Sequence, residues 1–396
     1  MGPGTPPSPR RETLFRQEAP GGVTYRIPAL LYLPPAATFL AFAEKRSSAR
    51  DEDAQHLVLR RGRRRGLEVE WGPAEELPQL TLPGHRTMSP CPVYEAAGGT
   101  VFLFCICVRG RVTERRQVLA GRNAARLCCA ASPDGGRSWA PLRDLTEPAV
   151  GPELRRWATF AVGPGHGVQL AAGRLAVPAY AYYVHRRFCG LPLPCCTEPH
   201  ALVFYSDDRG RSWRRGALVE GLRTGECQVA EIAAADGGPV LYCSARTPRR
   251  CRAVALSTDR GLRFGRSAPC EQLCEPPRGC QGSVVSFAGP PGAGQPLTAA
   301  SWLLFSHPTD KRRRRDLGLY VNPSPLEREG WRRPWVLHEG PCGYSDLAVC
   351  PDPDGLFGCL FECGAASGCE EIAFCLFTRR QLLSACGAPA GEPGAA

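Results

Sequence analysis

The sequence lacks the two features that most often place a protein across a membrane or outside the cell. No stretch reaches 18 uninterrupted apolar residues; the nearest candidate, Ile27–Ala43, is broken by Pro28, Pro34 and Pro35. The opening residues, MGPGTPPSPRRETLF, do not follow the basic, apolar and small-residue order of a secretory signal. We therefore expect no transmembrane helix, no signal peptide and a compartment in which cysteine thiols stay reduced.

Motifs for zinc fingers and for nucleic-acid binding are lacking as well. The 21 cysteines include no C-x-x-C pair, and no histidine stands at finger spacing. The net charge of +11 is compatible with anionic partners, but its main runs, Arg60–Gly66 and Lys311–Arg315, accompany no RNA-binding or basic-zipper signature. We expect no metal and no nucleic acid as partner, with most cysteines packed as small hydrophobes.

Helical periodicity is scarce, and short apolar runs of roughly four to eight residues take its place. Turn residues separate these runs, as is typical of an all-β fold, and glycine (44) and proline (39) are abundant. Only Ala120–Cys129 and Arg379–Ala385 are predicted as short helices. Residues 1–14 are predicted to form a flexible N-terminal arm, 15–385 a single domain and 386–396 a disordered tail. Phe287–Ala300 reads as a mobile surface loop.

One short phrase occurs three times, at Ser132–Trp139, Ser206–Trp213 and Ser257–Phe264. The shared pattern is S-x-D-x-G-x-x-aromatic. In a hairpin turn the carboxylate can accept bonds from backbone N–H groups, and glycine supplies a positive φ. We interpret the three copies as structural turns. Many short strands with a repeated turn favour a β-propeller.

Three arginines stand in or beside apolar strand-like segments: Arg26 in TYRIPALL, Arg246 in LYCSART, and Arg314 shortly before DLGLY. Burying a guanidinium is costly unless it meets an anion. Each arginine alone could form a structural ion pair. Three of them facing one pocket would form a carboxylate clamp, because the guanidinium fork matches carboxylate geometry.

The chain resembles the sialidases, specifically the animal cytosolic and membrane-associated branch. The resemblance rests on YRIP at Tyr25–Pro28, the three repeated turns, and phrases such as WATFAVGPGHG, VPAYAYY and CGYSDLA. It covers Leu14 to Leu383, and LFRQE, CSARTP and LFGCLFECG are most similar to the plasma-membrane-associated ganglioside sialidases. The resemblance implies a six-bladed β-propeller with Asp-box repeats and a retaining exo-α-sialidase that needs no cofactor.

The resemblance also implies roles for individual residues. Arg26, Arg246 and Arg314 would hold the carboxylate of sialic acid, and Tyr344 would be the nucleophile with Glu226 as its base. A neutral tyrosine avoids the repulsion that an anionic nucleophile would meet at a carbon carrying a carboxylate. The remaining implied site residues are Asp51 as acid/base, Glu362 as partner of the first clamp arginine, and Arg46, Tyr180, Tyr182, Ile27, Met88, Glu114 and Gln281 as substrate contacts.

Several positions depart from the family pattern. Ser89 stands where asparagine is usual, Gly225 precedes Glu226 where a larger side chain is frequent, and Arg115 replaces a common glutamine. The third repeated turn ends in Phe264 rather than tryptophan. A sialoside-binding propeller with weak catalysis is therefore the alternative. A plain scaffold is disfavoured because it has no need of three arginines in apolar segments.

Membrane contact is a separate expectation. Residues Val184–Cys196, VHRRFCGLPLPCC, combine arginine, phenylalanine, leucine and cysteine as an interfacial or acylated loop would, although a buried loop between blades fits equally well. Together with the resemblance, they predict gangliosides, or else sialylated glycoproteins or oligosaccharides, as substrates. The predicted location is the plasma membrane, peripherally bound, or endosomal or lysosomal membranes.

Overall fold

The computed structural model describes residues 9–189, 191–193, 196–233, 238–289, 301–351 and 355–387. Within these ranges the chain is mostly β-strand. The strands are β1 (Arg11–Arg16), β2 (Thr24–Leu33), β3 (Thr38–Arg46), β4 (Ala54–Arg65), β5 (Glu68–Trp71), β6 (Glu75–Leu77), β7 (His85–Glu95), β8 (Thr100–Arg109), β9 (Ala125–Ser132), β10 (Arg143–Asp144), β11 (Trp157–Val162), β12 (Val168–Gln169), β13 (Leu175–Val184), β14 (Arg187–Phe188), β15 (Leu191–Pro192), β16 (Thr197–Ser206), β17 (Arg214–Arg215), β18 (Cys227–Ala233), β19 (Pro239–Ala245), β20 (Cys251–Ser257), β21 (Ala268–Cys274), β22 (Ser283–Ala288), β23 (Ser301–Pro308), β24 (Arg315–Asn322), β25 (Trp335–Cys350), β26 (Leu356–Cys363) and β27 (Glu371–Thr378).

The helices are short. They are α1 (Glu114–Ala120), α2 (Thr146–Val150) and α3 (Arg379–Ala385), with 3-10 turns at Pro34–Ala36, Asp51–Asp53 and Gly151–Arg156. None of the helices in the described ranges has the length and apolar character needed to cross a bilayer.

The strands form antiparallel sheets in chain order. Four sheets run β2-β3-β4-β5, with β6 also on β4; β7-β8-β9-β10; β11-β13-β16-β17, with β12 on β13; and β18-β19-β20-β21. The last sheet runs β22-β23-β24-β25-β26-β27-β1. Its long strand β25 pairs with β24 through Trp335–Pro341 and with β26 through Cys342–Cys350. The chain thus builds one antiparallel meander after another.

The sheets pack around a ring, as in a β-propeller. Strand β2 contacts β7, β7 contacts β11, β12 and β13, β13 contacts β18, β18 contacts β22, β22 contacts β25, and β25 contacts β2 again. Strand β1 completes the last sheet on the edge of β27, so the N-terminal strand closes the ring. The apolar clusters lie between successive sheets, where face-to-face sheets interdigitate their side chains. For example, the rings of Phe104 on β8 and Trp213 beside β17 meet at 4.5 Å.

The three repeated turns share two hydrogen bonds to the aspartate, one from a serine hydroxyl and one from a backbone N–H. In the second copy, Asp208 accepts the backbone N–H of Ser212 at 2.9 Å and the hydroxyls of Ser212 and Ser206 at 2.6 and 2.8 Å. Arg209 and Gly210 both have positive φ, 59° and 82°, which gives the turn the twist of the strands that it joins. These contacts support the interpretation of the turns as structural.

Two helix predictions have different outcomes. Helix α3 is confirmed at Arg379–Ala385, where Thr378 and Gln381 form a capping box. The helix predicted at Ala120–Cys129 is wrong, because Ala125–Ser132 is strand β9 and the helix lies just upstream, at α1. Both faces of β9 are buried between sheets, so its apolar run does not show the alternation of a half-exposed strand.

The ends of the domain need a correction. The predicted flexible arm of residues 1–14 is wrong for Arg11–Leu14, which lie in strand β1, and Leu14 is buried against the ring. Residues 1–8 lie outside the described ranges, as do 290–300 of the predicted loop and 388–396 of the predicted tail. All 20 cysteines of the described ranges are free thiols, and most are buried, which agrees with their predicted packing role.

Candidate active site

A cavity of about 480 Å³ is lined by residues of β2, β7, β11, β13 and β25, which are among the strands that contact one another around the ring. Most of the predicted site residues line it. These are Ile27, Arg46, Asp51, Met88, Glu114, Tyr180, Tyr182, Glu226, Arg246 and Tyr344. An adjoining pocket of about 390 Å³ is lined by Arg26, Arg314 and Glu362. Sequence segments more than 300 residues apart are therefore brought to one place.

Tyr344 lies at the centre of the predicted clamp. The guanidinium carbons of Arg26 and Arg314 are 5.7 and 5.4 Å from the centre of its ring. The third arginine, Arg246, donates from Nη1 to the phenolic oxygen at 3.1 Å. The three predicted arginines thus surround one tyrosine, rather than each forming an unrelated ion pair.

Tyr344 and Glu226 form a short hydrogen bond. The phenolic O–H donates to Oε1 of Glu226 at 2.6 Å, while Arg246 donates to the other oxygen, Oε2, at 2.5 Å. Burial and the neighbouring Glu226 carboxylate raise the pKa of Tyr344 well above its ordinary value, against the smaller opposing effect of Arg246. The tyrosine is therefore neutral at rest, with a proton acceptor already in contact.

Glu362 holds Arg26 in place. Its carboxylate accepts Nε and Nη2 of Arg26 at 2.7 and 3.2 Å, and it also accepts the backbone N–H groups of Ile27 and Tyr344 at 2.9 and 3.0 Å. Burial raises the pKa of Glu362, but the charge and hydrogen bonds of Arg26 and the two N–H groups outweigh that effect, and the pKa is lowered. One carboxylate thereby fixes both an arginine of the clamp and the backbone of the tyrosine.

A second carboxylate, Glu44, does the same for Arg46, and the sequence analysis missed it. Glu44 is fully buried and accepts Nε and Nη2 of Arg46 at 2.8 and 2.6 Å and the N–H of Ser89 at 2.6 Å. Arg46 then reaches Oδ1 of Asp51 at 2.6 Å. The signal was present, because Glu44 and Arg46 are two apart on strand β3 and so point to the same face.

Asp51 faces the cavity, with 65% of its side chain exposed. The surrounding walls partly desolvate it, which raises its pKa; the charge and hydrogen bond of Arg46, with Arg26 and Arg86 further away, lower it by more. The net effect is a lowered pKa. At rest Asp51 is thus an ionised carboxylate with access to the cavity.

The two predicted tyrosines share one face of strand β13. Both line the cavity, with ring centres 6.2 Å apart, and the Tyr180 hydroxyl donates to Glu114 at 2.8 Å. Burial raises the pKa of both, so that each is a neutral hydroxyl. Together with Glu114, at the first turn of α1, they line the same cavity as Asp51.

Gln281, predicted as a substrate contact, lies next to the cavity rather than on its wall. Gln281 is 1% exposed, and it does not belong to the cavity wall. Its amide nitrogen donates to the carbonyls of Pro164 and Ser345 at 3.1 and 2.9 Å, and its oxygen accepts the N–H of Ser345 at 3.0 Å. The side chain instead fixes the backbone next to Tyr344.

The positions that depart from the family pattern are all accommodated. Ser89 has a positive φ of 56° at a bulge of β7, and its N–H meets Glu44. A Cβ on Gly225 would meet only the Arg246 carbonyl, at 3.8 Å, so this wall has room for a larger residue. Glu226 is nevertheless held by two partners. Arg115 is exposed on α1 and is not among the residues of the cavity wall.

Comparisons with known proteins agree with this geometry. Residues 37–359 match the family model described as a BNR repeat-like domain. The chain is 58% identical to human Sialidase-3, with 96% of this chain and 95% of that protein covered. It is 43% identical to human Sialidase-4, with 96% and 95% covered.

A solved structure gives the same picture of the fold. The Hadza microbial sialidase Hz136 superposes with a TM-score of 0.73 at 23% identity, with 91% of this chain and 67% of that chain covered. At this identity the likeness concerns the arrangement of the sheets. The residues that match the repeat-like domain thus form most of the ring of antiparallel sheets.

Proposed function

The chain belongs to the sialidase family and is an exo-sialidase, a glycoside hydrolase that acts on sialic acid, and from this premise we propose that Tyr344 is the nucleophile of a retaining reaction. The observation that carries the proposal is the 2.6 Å hydrogen bond from the Tyr344 hydroxyl to Glu226. A nucleophile in contact with its base is the usual arrangement for covalent catalysis.

The chemistry follows from the charge of the substrate. The reacting carbon of sialic acid carries a carboxylate, which would repel an anionic nucleophile; a tyrosine with a raised pKa approaches as a neutral group. As the phenolic oxygen bonds to the anomeric carbon, its proton passes to Glu226 and the glycosidic C–O bond breaks. Arg246, 3.1 Å from that oxygen, stabilises the negative charge that develops there.

The clamp for the substrate carboxylate is Arg26, Arg246 and Arg314. Glu362 takes Nε and Nη2 of Arg26, which holds the guanidinium plane with Nη1 on its remaining edge. Arg314 is anchored through Nη2 to the carbonyl of Gly279 at 2.9 Å. Each arginine is thus oriented before substrate arrives, and so little side-chain entropy is lost on binding.

Asp51 serves as general acid and later as general base. It protonates the departing glycosidic oxygen, and in the second half of the reaction it takes a proton from the water that breaks the bond between Tyr344 and the sugar. Asp51 has a lowered pKa and must be protonated for the first step. Activity on natural glycosides should therefore be highest at acidic pH.

Replacing Tyr344 with phenylalanine tests the proposal. Removing the nucleophilic oxygen should lower the rate of sialic acid release from a fluorogenic aryl α-sialoside by roughly 10³-fold or more, on the scale of a lost catalytic nucleophile. Tyr205→Phe is the matched control, because Tyr205 contacts Arg174 and is not part of the cavity wall. Comparable rates for the two variants would remove Tyr344 from the chemistry. Binding of sialic acid without release by the parent chain would favour the sialoside-binding alternative.

We further propose that the ring has six blades, and that the three repeated turns are Asp-boxes. Four blades correspond to the four sheets of four or five strands, and the two-stranded hairpin β14–β15 is not counted as a blade. The seven-stranded sheet supplies two more, β22–β25 and β25–β27 with β1, which share the long strand β25.

The substrate class that we propose is gangliosides, met at a membrane face. Beside the cavity, Phe188 on hairpin β14–β15 is 70% exposed and Leu119 on α1 is 54% exposed. Arg187 ties this hairpin to the end of α1 through the Gly121 carbonyl at 3.0 Å. We call Phe188 and Leu119, together with the exposed arginines Arg116, Arg155 and Arg186, the Phe188 rim.

The Phe188 rim has the composition of a peripheral membrane contact. Aromatic and aliphatic side chains insert at the headgroup boundary, while arginines attract anionic lipid. Plasma-membrane, endosomal or lysosomal membranes would each present such a surface. Cys195, within the loop predicted to be interfacial or acylated, lies outside the described ranges.

A vesicle assay tests the membrane proposal. We expect the chain to sediment with vesicles that contain phosphatidylserine more than with pure phosphatidylcholine, and Phe188→Ser to weaken this binding. The same variant should release less sialic acid from ganglioside in vesicles while keeping its rate on a soluble aryl sialoside. Leu326→Ser, at another exposed leucine, is the control. Equal binding to both vesicles would contradict the proposal.

A further inference from the structure

Away from the cavity, three metal-ligating side chains lie together at one end of the third sheet. His185 directly follows β13, and Glu198 and His200 lie on β16; their ligand atoms all fall within 4.8 Å of one another. Among the described residues, this is the one group of three or more histidine, cysteine or carboxylate side chains whose ligand atoms are close enough to share an ion.

Strand register places these side chains on one face. Tyr183 pairs with Glu198, and the neighbouring pair, Tyr182 and Pro199, lies on the cavity wall. Because side chains alternate along a strand, Tyr183, His185, Glu198 and His200 all belong to the opposite face. The cluster is thus separated from the substrate by the thickness of one sheet.

The tautomer of His200 is fixed by the backbone. Its Nδ1 lies 2.9 Å from the carbonyl oxygen of Val219, which can only accept, so Nδ1 carries the proton. In the neutral ring the lone pair is then on Nε2, and Nε2 faces Nε2 of His185 at 3.1 Å. A histidine that ligates a metal through one ring nitrogen usually donates the N–H of its other ring nitrogen to a carbonyl or carboxylate.

We propose that His185, His200 and Glu198 form a site for a divalent transition metal of the zinc type. Two imidazole nitrogens on a tetrahedral zinc, each about 2.0–2.1 Å from the ion, are about 3.3 Å apart, close to the separation found here. Arg223 donates to Oε1 of Glu198 at 3.0 and 2.8 Å, so Oε2 is the oxygen that we assign to the ion. A water completes the set of four ligands.

The sequence concealed this site because its ligands come from two strands, without finger spacing. A bound ion would link the end of β13 to β16, directly behind Tyr182 and Pro199 of the cavity wall. Arg223, which is part of that wall, shares Glu198 with the ion. The proposal is independent of the sialidase mechanism, since none of the three ligands touches Tyr344, Glu226 or Asp51.

Cobalt is the probe, because its absorption spectrum separates nitrogen and oxygen ligands from cysteine sulfur. The full chain, without a polyhistidine tag and with its thiols kept reduced by a phosphine, is titrated with Co²⁺. We expect one equivalent to bind with a tetrahedral spectrum that lacks sulfur-to-metal charge transfer. Zinc should displace it stoichiometrically.

Three variants and one control assign the ligands. His185→Gln and His200→Gln should abolish the spectrum. Glu198→Gln should weaken the affinity for Co²⁺ at least 10-fold, since losing even a group that supports a metal ligand typically costs 10–100-fold. His85→Gln, at a partly exposed histidine outside the cluster, should bind like the parent. Circular dichroism of each variant establishes that it is folded. No binding by the parent, a sulfur charge-transfer band, or unchanged binding in both histidine variants would overturn the proposal.

Discussion

The contacts of Asp51 suit the two steps that we propose for it. Arg46 binds it at 2.6 Å and lowers its pKa, while its open side faces the cavity. A carboxylate of this kind is protonated only at acidic pH, but once protonated it is a strong acid toward a poor leaving group. Glu44 also binds Arg46, and it thereby holds this arginine in position against Asp51.

Replacing Asp51 with asparagine should therefore affect substrates unequally. We expect release of sialic acid from a natural glycoside to fall by roughly 10²–10⁴-fold, because general acid catalysis is lost, while an activated aryl sialoside loses far less. In the parent, the rate on the glycoside falls as the pH rises through the Asp51 pKa. In the variant, measured on the aryl sialoside, the rate should not fall over this pH range. Asp53→Asn is the neighbouring control. Equal losses on both substrates would contradict the role of Asp51.

At the residue scale, the site residues predicted from recognisable phrases are mostly brought together around one cavity and its neighbouring pocket. The sequence analysis missed Glu44 because a lone glutamate in AFAEKR looks like a surface charge, and only its burial reveals the pairing with Arg46. It did not predict that the amide of Gln281 bonds to the backbone beside Tyr344, because hydrogen-bond partners are set by the fold. Burial and direction are properties of the fold, which one sequence does not state.

At the scale of the element, the repeated turns differ in one hydrogen bond. The first two copies place a serine four residues after the aspartate, and its hydroxyl donates to the second carboxylate oxygen at 2.6 Å. The third copy has Arg263 at that position, and there only the backbone N–H donates, at 2.9 Å. The third turn is therefore the least constrained.

Removing the aspartate should cost more in the second turn than in the third. Asp208→Ala loses bonds from Ser206 and from two groups of Ser212, and we expect the free energy of unfolding to fall by about 1–3 kcal/mol. Asp259→Ala should cost less, and Arg263→Ser should restore the missing bond and add about 0.5–1 kcal/mol. Urea denaturation of the three variants measures the order. A larger loss for Asp259→Ala than for Asp208→Ala would refute this reading.

The strand cadence and α3 could be predicted because turn residues and a capping box are local signals. Strand β9 could not, because it is buried on both faces and its apolar run does not alternate. Strand β1 was hidden for another reason: its partner, β27, is about 360 residues away along the chain. Such a pairing leaves no local pattern.

At the scale of the whole molecule, buried ion pairs that join two successive sheets should make the fold sensitive to acid. Glu275 is fully buried and bonds to Arg252 at 3.0 Å and His307 at 3.2 Å, which belong to two successive sheets. Burial raises its pKa, but Arg252, His307 and the N–H of Cys280 lower it by more, to about 2. A pKa lowered from 4.5 means that the folded state holds the proton less tightly than the unfolded chain.

The ion pairs of Glu275 should contribute stability that is complete above pH 4.5 and is lost as the pH falls toward 2. The shift corresponds to about 3 kcal/mol at neutral pH. Denaturation measured at intervals between pH 6 and pH 2.5 should show a steeper loss for the parent than for Glu275→Gln. The variant should also be less stable at neutral pH, because Arg252 loses its charged partner. Parallel curves would exclude Glu275 as a source of the acid sensitivity.

The measurement that tests the account most directly is to trap the sugar on the enzyme. A 2,3-difluorinated sialic acid forms the covalent intermediate but slows its hydrolysis, so the full chain can be digested and the modified peptide identified by mass spectrometry. The account predicts one sialyl group on the phenolic oxygen of Tyr344, and none in Tyr344→Phe. A sugar attached to Glu226 or Asp51, or turnover with no adduct on any residue, would contradict it.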